Sequence, residues 1–371
     1  MKSIFLIFSG KNDRACYALA RAIARRGERL AIVAMTNDDK MLLGTYRKYV
    51  VSVRPCTDLS FAVFEHHVNL VRRATGIARI ILLPTSEYFS TFLLENRQII
   101  ETELGCVIPL PATDVYARLT NKQTATDFFS DRGIDVPQEL TDIDAIKVPF
   151  VAKPKKNIVS GLSLYPVLVE DETDLMTLQA ASPLNCYFFQ KFVTGRSFYI
   201  LAYIARDRSV FLASQENLAQ QPNGKSVVLA IASDFHQSAT SQRAIEAIVE
   251  IGFCGFVMLE FIVQGEEAFF IELNPRAWGP MNLCLDNQSN IIEAFIGDWA
   301  YGDPNRFAFD KSAKPRYLWL GGIIQSLRQH GKIDHRGISV ATVIYQVLRS
   351  MFSDVYLRRD SWRVFLREIA E

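Results

Sequence analysis

The six cysteines of this chain (Cys16, Cys56, Cys106, Cys186, Cys254 and Cys284) are never paired by spacing. The lack of a CxxC or a His-spaced cluster argues against a zinc site, and free thiols of a reducing cytosol are the simplest expectation. Histidine is scarce, five in 371 residues. His66 and His67 have no acid or thiol at metal spacing, and His236 fits a structural or exposed role, with substrate contact as its alternative. Charge of one sign is missing too: 41 Lys and Arg stand against 40 Asp and Glu. That balance gives no electrostatic case for a nucleic-acid partner. No run approaches the roughly 18 apolar residues of a membrane span. The opening "MKSIFLIFSGKNDR" reaches Lys11, Asp13 and Arg14 too soon for a secretory signal. It is expected to be a first strand in a soluble, cytoplasmic protein. The turn that follows, "SGKNDRAC", has one glycine where a dinucleotide fingerprint has three, which argues against an NAD site.

What is present is apolar bulk, 49% of the residues, enough for two or three domains. "SIFLIFSG", "RLAIVAM" and "RIILLPTS" are strand-like runs separated by helical stretches such as "RACYALARAIARRG". Strands alternating with helices predict an open parallel α/β sheet over residues 1–112. From residue 113 to about 300 the texture becomes α+β with antiparallel sheets. "TNKQTATDFFSDRG" is a helix capped by Thr120 or Asn121 and stopped at Gly133. "VPFVAKP", "LSLYPVLV", "CYFFQKFV", "SFYILAYIA", "SVFLAS" and "SVVLAIAS" are strands, and "ENLAQQPNGKS" (Glu216 to Ser226) is a loop. Residues 301–371 carry 12 basic and 7 acidic residues and form a helical extension packed on the body. A membrane-surface or partner helix is the alternative for that tail.

Chemistry concentrates in "VMLEFIVQGEEAFFIELNPRAWGP". Two strands joined at "QGEE" should pair as a hairpin, bringing Glu260 and Glu272 together across the ladder. Buried neighbouring carboxylates repel unless a cation lies between them. Magnesium suits such a pair together with phosphate oxygens, and Asn274 adds a neutral oxygen on the same face. Arg276, one step further, suits a phosphoryl group in transfer. Edge acids paired with nearby lysines are the plainer alternative.

"ELNPRAWG" resembles the metal-binding end of the ATP-grasp superfamily, where E-[IVLM]-N-P-R precedes an aromatic residue and a glycine. "LTNKQTATDFFSDRGIDVP" is similar to the family's entry helix, "VPFVAKP" to its central lysine strand and "YFFQKFVTG" to its hinge, in the family's order from Leu119 to Trp278. The resemblance implies a two-lobed ATP-grasp domain, its small lobe at 113–190 and its large, metal-binding lobe at 191–300. It implies that Lys122 and Lys153 hold the ATP phosphates, Lys153 and Arg276 acting in catalysis. The phosphate-covering loop falls at "KKNIVSGLS", with Ser160 and Gly161. That loop is usually richer in glycine, and Lys155 and Lys156 are the charges that would compensate. Gln190, Lys191, Phe192 and Val193 would read the adenine edge through their backbone, and Ile271 would pack on the base. Ser197 stands where many relatives have an acid for the ribose. Glu260, Glu272 and Asn274 would hold Mg2+, with Mn2+ as the alternative ion.

The implied activity is ATP-dependent: a small-molecule carboxylate becomes an acylphosphate and is joined to an amine, releasing ADP and phosphate. The loop at 216–226 and the N-terminal domain are the expected substrate walls. Two further readings stay open. One is a bicarbonate-activating carboxylase or carbamoyl-phosphate-type enzyme, ranked lower because the chain holds one ATP-grasp unit and no biotin-carrier lysine motif. The other is an ATP-binding regulator without turnover. The partners expected are the two small substrates, with a homodimer left open.

Overall fold

The computed structural model describes residues 2–141, 147–155, 158–159, 162–181, 184–287, 289–307, 315–335 and 337–371. Strands β1 (Ser3–Phe8), β2 (Leu30–Ala34), β3 (Val50–Val53), β4 (Arg79–Leu82) and β5 (Cys106–Val107) form a parallel sheet in the order β3-β2-β1-β4-β5. Crossovers run through α1 (Asp13–Arg25), α2 (Phe61–Thr75), α3 (Glu87–Glu95) and α4 (Arg97–Thr102). The chain steps outward from β1 to β3, then returns to place β4 on the other side of β1. The strand order therefore reverses between β1 and β4, where an open α/β sheet leaves a crevice at the carboxyl ends of its strands. Both faces of the sheet are covered. Leu6, Phe8 and Ile80 pack toward Phe64, Val68 and Phe89, while Phe5 and Ile7 join the alanine-rich face of α1.

Two helices lead out of this unit, α5 (Thr113–Thr120) and α6 (Lys122–Ser130). Asn121 caps α6 by accepting from the backbone N–H of Gln123 and Thr124. A four-stranded antiparallel sheet follows, in the order β10-β7-β11-β6. Its strands are β6 (Glu139–Leu140), β7 (Phe150–Pro154), β10 (Val167–Val169) and β11 (Tyr187–Lys191), with the short pair β8 (Ile158–Val159) and β9 (Leu162–Ser163) between β7 and β10. Helix α7 (Glu172–Ala181) covers it through Leu178, which shares a core with Phe150, Val169 and Tyr187.

The largest sheet is antiparallel and six-stranded, in the order β16-β15-β12-β13-β14-β17. Its members are β12 (Arg196–Ile204), β13 (Val210–Gln220), β14 (Val227–Ser233), β15 (Gly255–Gln264), β16 (Glu267–Asn274) and β17 (Arg316–Leu318). Helix α8 (Ala239–Glu250) packs on one face; α9 (Met281–Asn287) and α10 (Ile291–Tyr301) join the other face to α1. Apolar fit assigns α5 and α6 to this sheet rather than to the four-stranded one. Leu119 and Phe129 lie in its core, and the Phe129 ring centre is 4.2 Å from that of Phe270. The tail continues through α11 (Leu320–His330), α12 (Val340–Ser350) and α13 (Trp362–Ala370). It is mainly helical, yet β17 makes it part of the large sheet by pairing with β14. Among the described residues no helix is long and apolar enough to cross a membrane.

Candidate functional site

Strands β15 and β16 turn through Gly265 and Glu266, with Gly265 in the left-handed region at φ 63°. In the resulting register Glu260 stands directly opposite Glu272, and Met258 opposite Asn274. The ladder is interrupted once. Phe261 pairs with Phe270, so Ile271 is an extra residue bulged out of β16. Its freed carbonyl accepts from Lys153 Nζ at 2.9 Å, which fastens β7 of the small sheet to β16 of the large one. Asn274 Nδ2 donates to Glu272 Oε1 at 2.8 Å. Arg276 lies just past the strand, and its Nη2 donates to Asn274 Oδ1 at 3.1 Å. The acid, amide and cation thus form one connected row.

Two lysines face this row. Lys122, the first residue of α6, puts Nζ 3.8 Å from Glu272 Oε2. Lys153 is only 6% exposed. Burial, aided by the Lys122 charge and opposed by Glu272 and Glu260, brings its ammonium down to about 8. Burial alone would raise the Glu272 carboxyl; the Lys122 charge, the Asn274 hydrogen bond, Lys153 and Arg276 prevail and hold it below its usual range. The site is therefore a compact set of opposed charges in a poorly solvated place, where each is worth more than in water.

The Ser197 hydroxyl is bonded within the protein. It donates to Glu260 Oε1 at 3.0 Å and accepts from Asn217 Nδ2 at 2.9 Å, and the residue is wholly buried. Gln215 Nε2 continues the chain to Asn217 Oδ1 at 2.6 Å. These partners explain why the polar "ENLAQ" run is strand and not loop: β13 reaches Gln220, and only residues 221–226 form the connection to β14. Burying Glu216 and Asn217 is tolerated because each is bonded, Glu216 in a two-point contact from Arg196 at 2.7 and 2.6 Å.

The hinge begins inside the strand expected over "CYFFQKFV". Gln190 and Lys191 already belong to the ladder between β6 and β7, and Lys191 N–H donates to Gln138 O. Gln190 is 1% exposed, its Nε2 on Pro137 O. Of the four hinge positions, Phe192 and Val193 lie beyond the strand end. Ser160, Gly161 and Lys156 fall outside the described residues. His236 Nδ1 and Ser214 Oγ share a hydrogen bond of 2.8 Å.

A cleft of about 300 Å³ opens beside Glu272, Asn274 and Arg276. Its other wall comes from the strand-order reversal of the parallel sheet: Lys11, Asn12 and Arg14 after β1, Ser86 and Glu87 after β4. Lys225, Ser226 and Val227 close it from the connection into β14, within the stretch expected to be a substrate wall. Lys11, Arg14 and Glu87 were not singled out by sequence as site residues. The signal available was their place in the turns that follow "SIFLIF" and "RIILLP". A second hollow of about 330 Å³, between β13 and α8, shares none of these residues.

A family model described as an ATP-grasp domain matches residues 119–280. Residues 119–280 are an ATP-grasp domain. No curated protein matches the chain by sequence. Among solved structures, the biotin carboxylase–β-γ-ATP complex from Campylobacter jejuni superposes with a TM-score of 0.60 at 17% identity, over 85% of this chain and 74% of that one. The biotin carboxylase domain of 2-oxoglutarate carboxylase from Hydrogenobacter thermophilus, with MgADP, ADP and bicarbonate, gives 0.61 at 15% identity, over 85% and 72%. N5-carboxyaminoimidazole ribonucleotide synthetase from Thermus thermophilus gives 0.59 at 16% identity, over 84% and 81%. At these identities the likeness is one of fold. Within the ATP-grasp domain the donor set fits a hard divalent ion, with two carboxylates opposite one another and an amide beside them. Among the described residues no group of three or more His, Cys, Asp or Glu side chains is placed to hold a metal ion.

Proposed function

We propose that the chain is an ADP-forming ligase that activates a small carboxylic acid with ATP and joins it to an amine. The observation that carries this reading is the Glu260–Glu272 pair, opposed by Lys122 and Lys153, with Glu272 bordering a cleft that also presents Arg276. In the first step a carboxylate oxygen attacks the γ-phosphorus, the bond to the bridging β,γ-oxygen breaks, and ADP leaves. Lys122 and Lys153 hold phosphate oxygens, and Arg276 stabilises the acylphosphate. A divalent ion held by Glu260, Glu272 and Asn274 would spread the charge of the phosphates. The amine nitrogen then attacks the acyl carbon, phosphate departs with the C–O electron pair, and a proton passes to solvent. No protein nucleophile is required, because the chemistry is positioning and electrostatics. Phe192 and Val193 carry the backbone positions best suited to the adenine edge. The six free cysteines support work in the cytoplasm.

The test is to screen pairs of acids and amines for phosphate release, with product masses read by mass spectrometry. ADP and phosphate should appear only when both partners are present. A second reading, bicarbonate as the activated acid, is favoured by the likeness to a carboxylase domain held with MgADP and bicarbonate. Turnover that requires bicarbonate would select it. Tight ATP binding without turnover for any pair would select a regulator.

A further inference from the structure

Arg14 reaches the cleft from the first turn of α1, on the wall opposite the ATP-grasp strands. Its Nη1 donates to Val227 O at 3.1 Å and to the Tyr317 hydroxyl at 2.9 Å, and its Nη2 to Ser226 Oγ at 3.0 Å. The guanidinium lies 3.9 Å from the Trp319 ring centre. None of these hydrogen-bond partners is an acid, and they use three of the five N–H donors of the group; the one carboxylate whose charge reaches it, Glu368, is already bonded by Lys40 Nζ and Trp319 Nε1, each at 2.8 Å. A fixed guanidinium among neutral partners is costly unless an anion completes it. Gly279 makes room for it: a Cβ there would stand 2.8 Å from Arg14 Nη2 and 3.0 Å from its Cζ. Glycine at the end of "NPRAWG" thus lets Arg14 press against the backbone that carries Arg276.

The charge of the cleft points the same way. Lys11, Arg14, Lys225 and Arg276 line it against two acids, Glu87 and Glu272, and Glu272 is already opposed by Lys122. A single carboxylate placed for phosphorylation near Arg276 leaves Arg14 with no acid among its hydrogen-bond partners.

We propose that Arg14 is the anchor for a second oxyanion of the acid substrate, which is therefore a dianion: a dicarboxylic acid whose far carboxylate sits in the Arg14 fork. The planar fork matches a carboxylate in two-point contact. This rests on the ligase reading for the identity of the first carboxylate, but the anchor can be measured by binding alone.

The experiment titrates the full-length protein, loaded with Mg2+ and a non-hydrolysable ATP analogue, with glutarate, succinate and phosphoglycolate, and with butyrate and pentanoate as monoanions. Dicarboxylates should bind at least tenfold tighter than monoanions of the same length. Arg14→Gln should collapse that preference, and Arg14→Lys should restore only part of it. Gly279→Ala, which keeps the charge but displaces the fork, should weaken dicarboxylates more than monoanions. Thermal stabilisation by the ATP analogue confirms that each variant is folded. Equal affinity for dicarboxylates and monoanions, or a preference that survives Arg14→Gln, would overturn the anchor. Preference for phosphoglycolate over both dicarboxylates would overturn its assignment to a carboxylate. A protein that binds dicarboxylates through Arg14 yet never releases phosphate would refute the ligase reading and leave the anchor standing.

Discussion

Arg21 in α1 holds Asp360, near the far end of the chain, by two hydrogen bonds of 2.8 Å from Nε and Nη2 to the two carboxylate oxygens. The same guanidinium donates to Asn282 Oδ1, Val355 O and Ser361 Oγ, and it is 1% exposed. The tail is thereby fastened to the helix that also bears Arg14. Burial pushes the Asp360 carboxyl up, but the Arg21 hydrogen bonds and charge, with Ser361 and Tyr46, prevail and leave it at about 2. Its unfolded value is near 3.8. A depressed carboxyl stabilises the fold above the unfolded value and loses that contribution as pH falls toward the folded one. Asp360→Asn should therefore cost roughly 3 kcal/mol at pH 7, since it strands a buried cation. Urea unfolding should show this gap constant down to about pH 5 and closing between about 4 and 2. A gap independent of pH would rule out the charge as its source.

On the proposed reading, Glu272→Gln keeps the shape of the site and removes one of the two carboxylates that would hold the ion. Turnover with a working acid–amine pair should fall by about a hundredfold or more, because the phosphate charge loses its metal clamp. Stabilisation by MgADP over ADP alone, read as a thermal shift, should vanish with it. Unchanged turnover would mean that the carboxylate pair is only structural.

The hairpin at the site was legible because its evidence is local: alternating residues on either side of "QGEE" set the register that brings Glu260 to Glu272. The parallel sheet was legible for the same reason, in short apolar runs separated by helical periods. What the sequence hid depends on distant partners. No glycine or proline marks the bulge at Ile271, whose carbonyl is claimed by Lys153 from 118 positions earlier. "ENLAQ" looked like loop because the groups that satisfy Glu216 and Asn217, Arg196 and Ser197, lie on a neighbouring strand. Arg14 meets the cleft only because α1 folds against the connection into β14, more than 200 positions away.

Lys153 should make nucleotide binding depend on pH in a definite direction. Burial, with the Lys122 charge, leaves its ammonium at about 8 in the free protein, and on the proposed reading phosphate binds the charged form. With metal removed by a chelator, ATP affinity should be level below about pH 7.5. It should then fall by up to tenfold per pH unit above 8, until the pKa of the complex is passed. Calorimetric titration from pH 6.5 to 9.5 reads this, and Lys153→Arg should flatten the profile because arginine keeps its charge. A wild-type profile without a downturn would place the Lys153 charge out of reach of the phosphates.

Ser197 bonds Glu260, which is proposed to hold the ion, and a test separates that role from contact with the ribose. The Ser197 hydroxyl joins Glu260 to Asn217, so Ser197→Ala should remove one of the contacts that orient the carboxylate and leave Asn217 Nδ2 without that acceptor. Partners that orient a metal ligand are typically worth tenfold to a hundredfold in metal affinity. The Mg2+ concentration for half-maximal turnover should rise by about that factor, with the KM for ATP at saturating metal changed less than threefold. If the hydroxyl instead served the ribose, the variant would weaken ATP and its 2′-deoxy analogue unequally and leave the metal dependence alone. Measuring both nucleotides across a magnesium series decides between these outcomes in one set of curves.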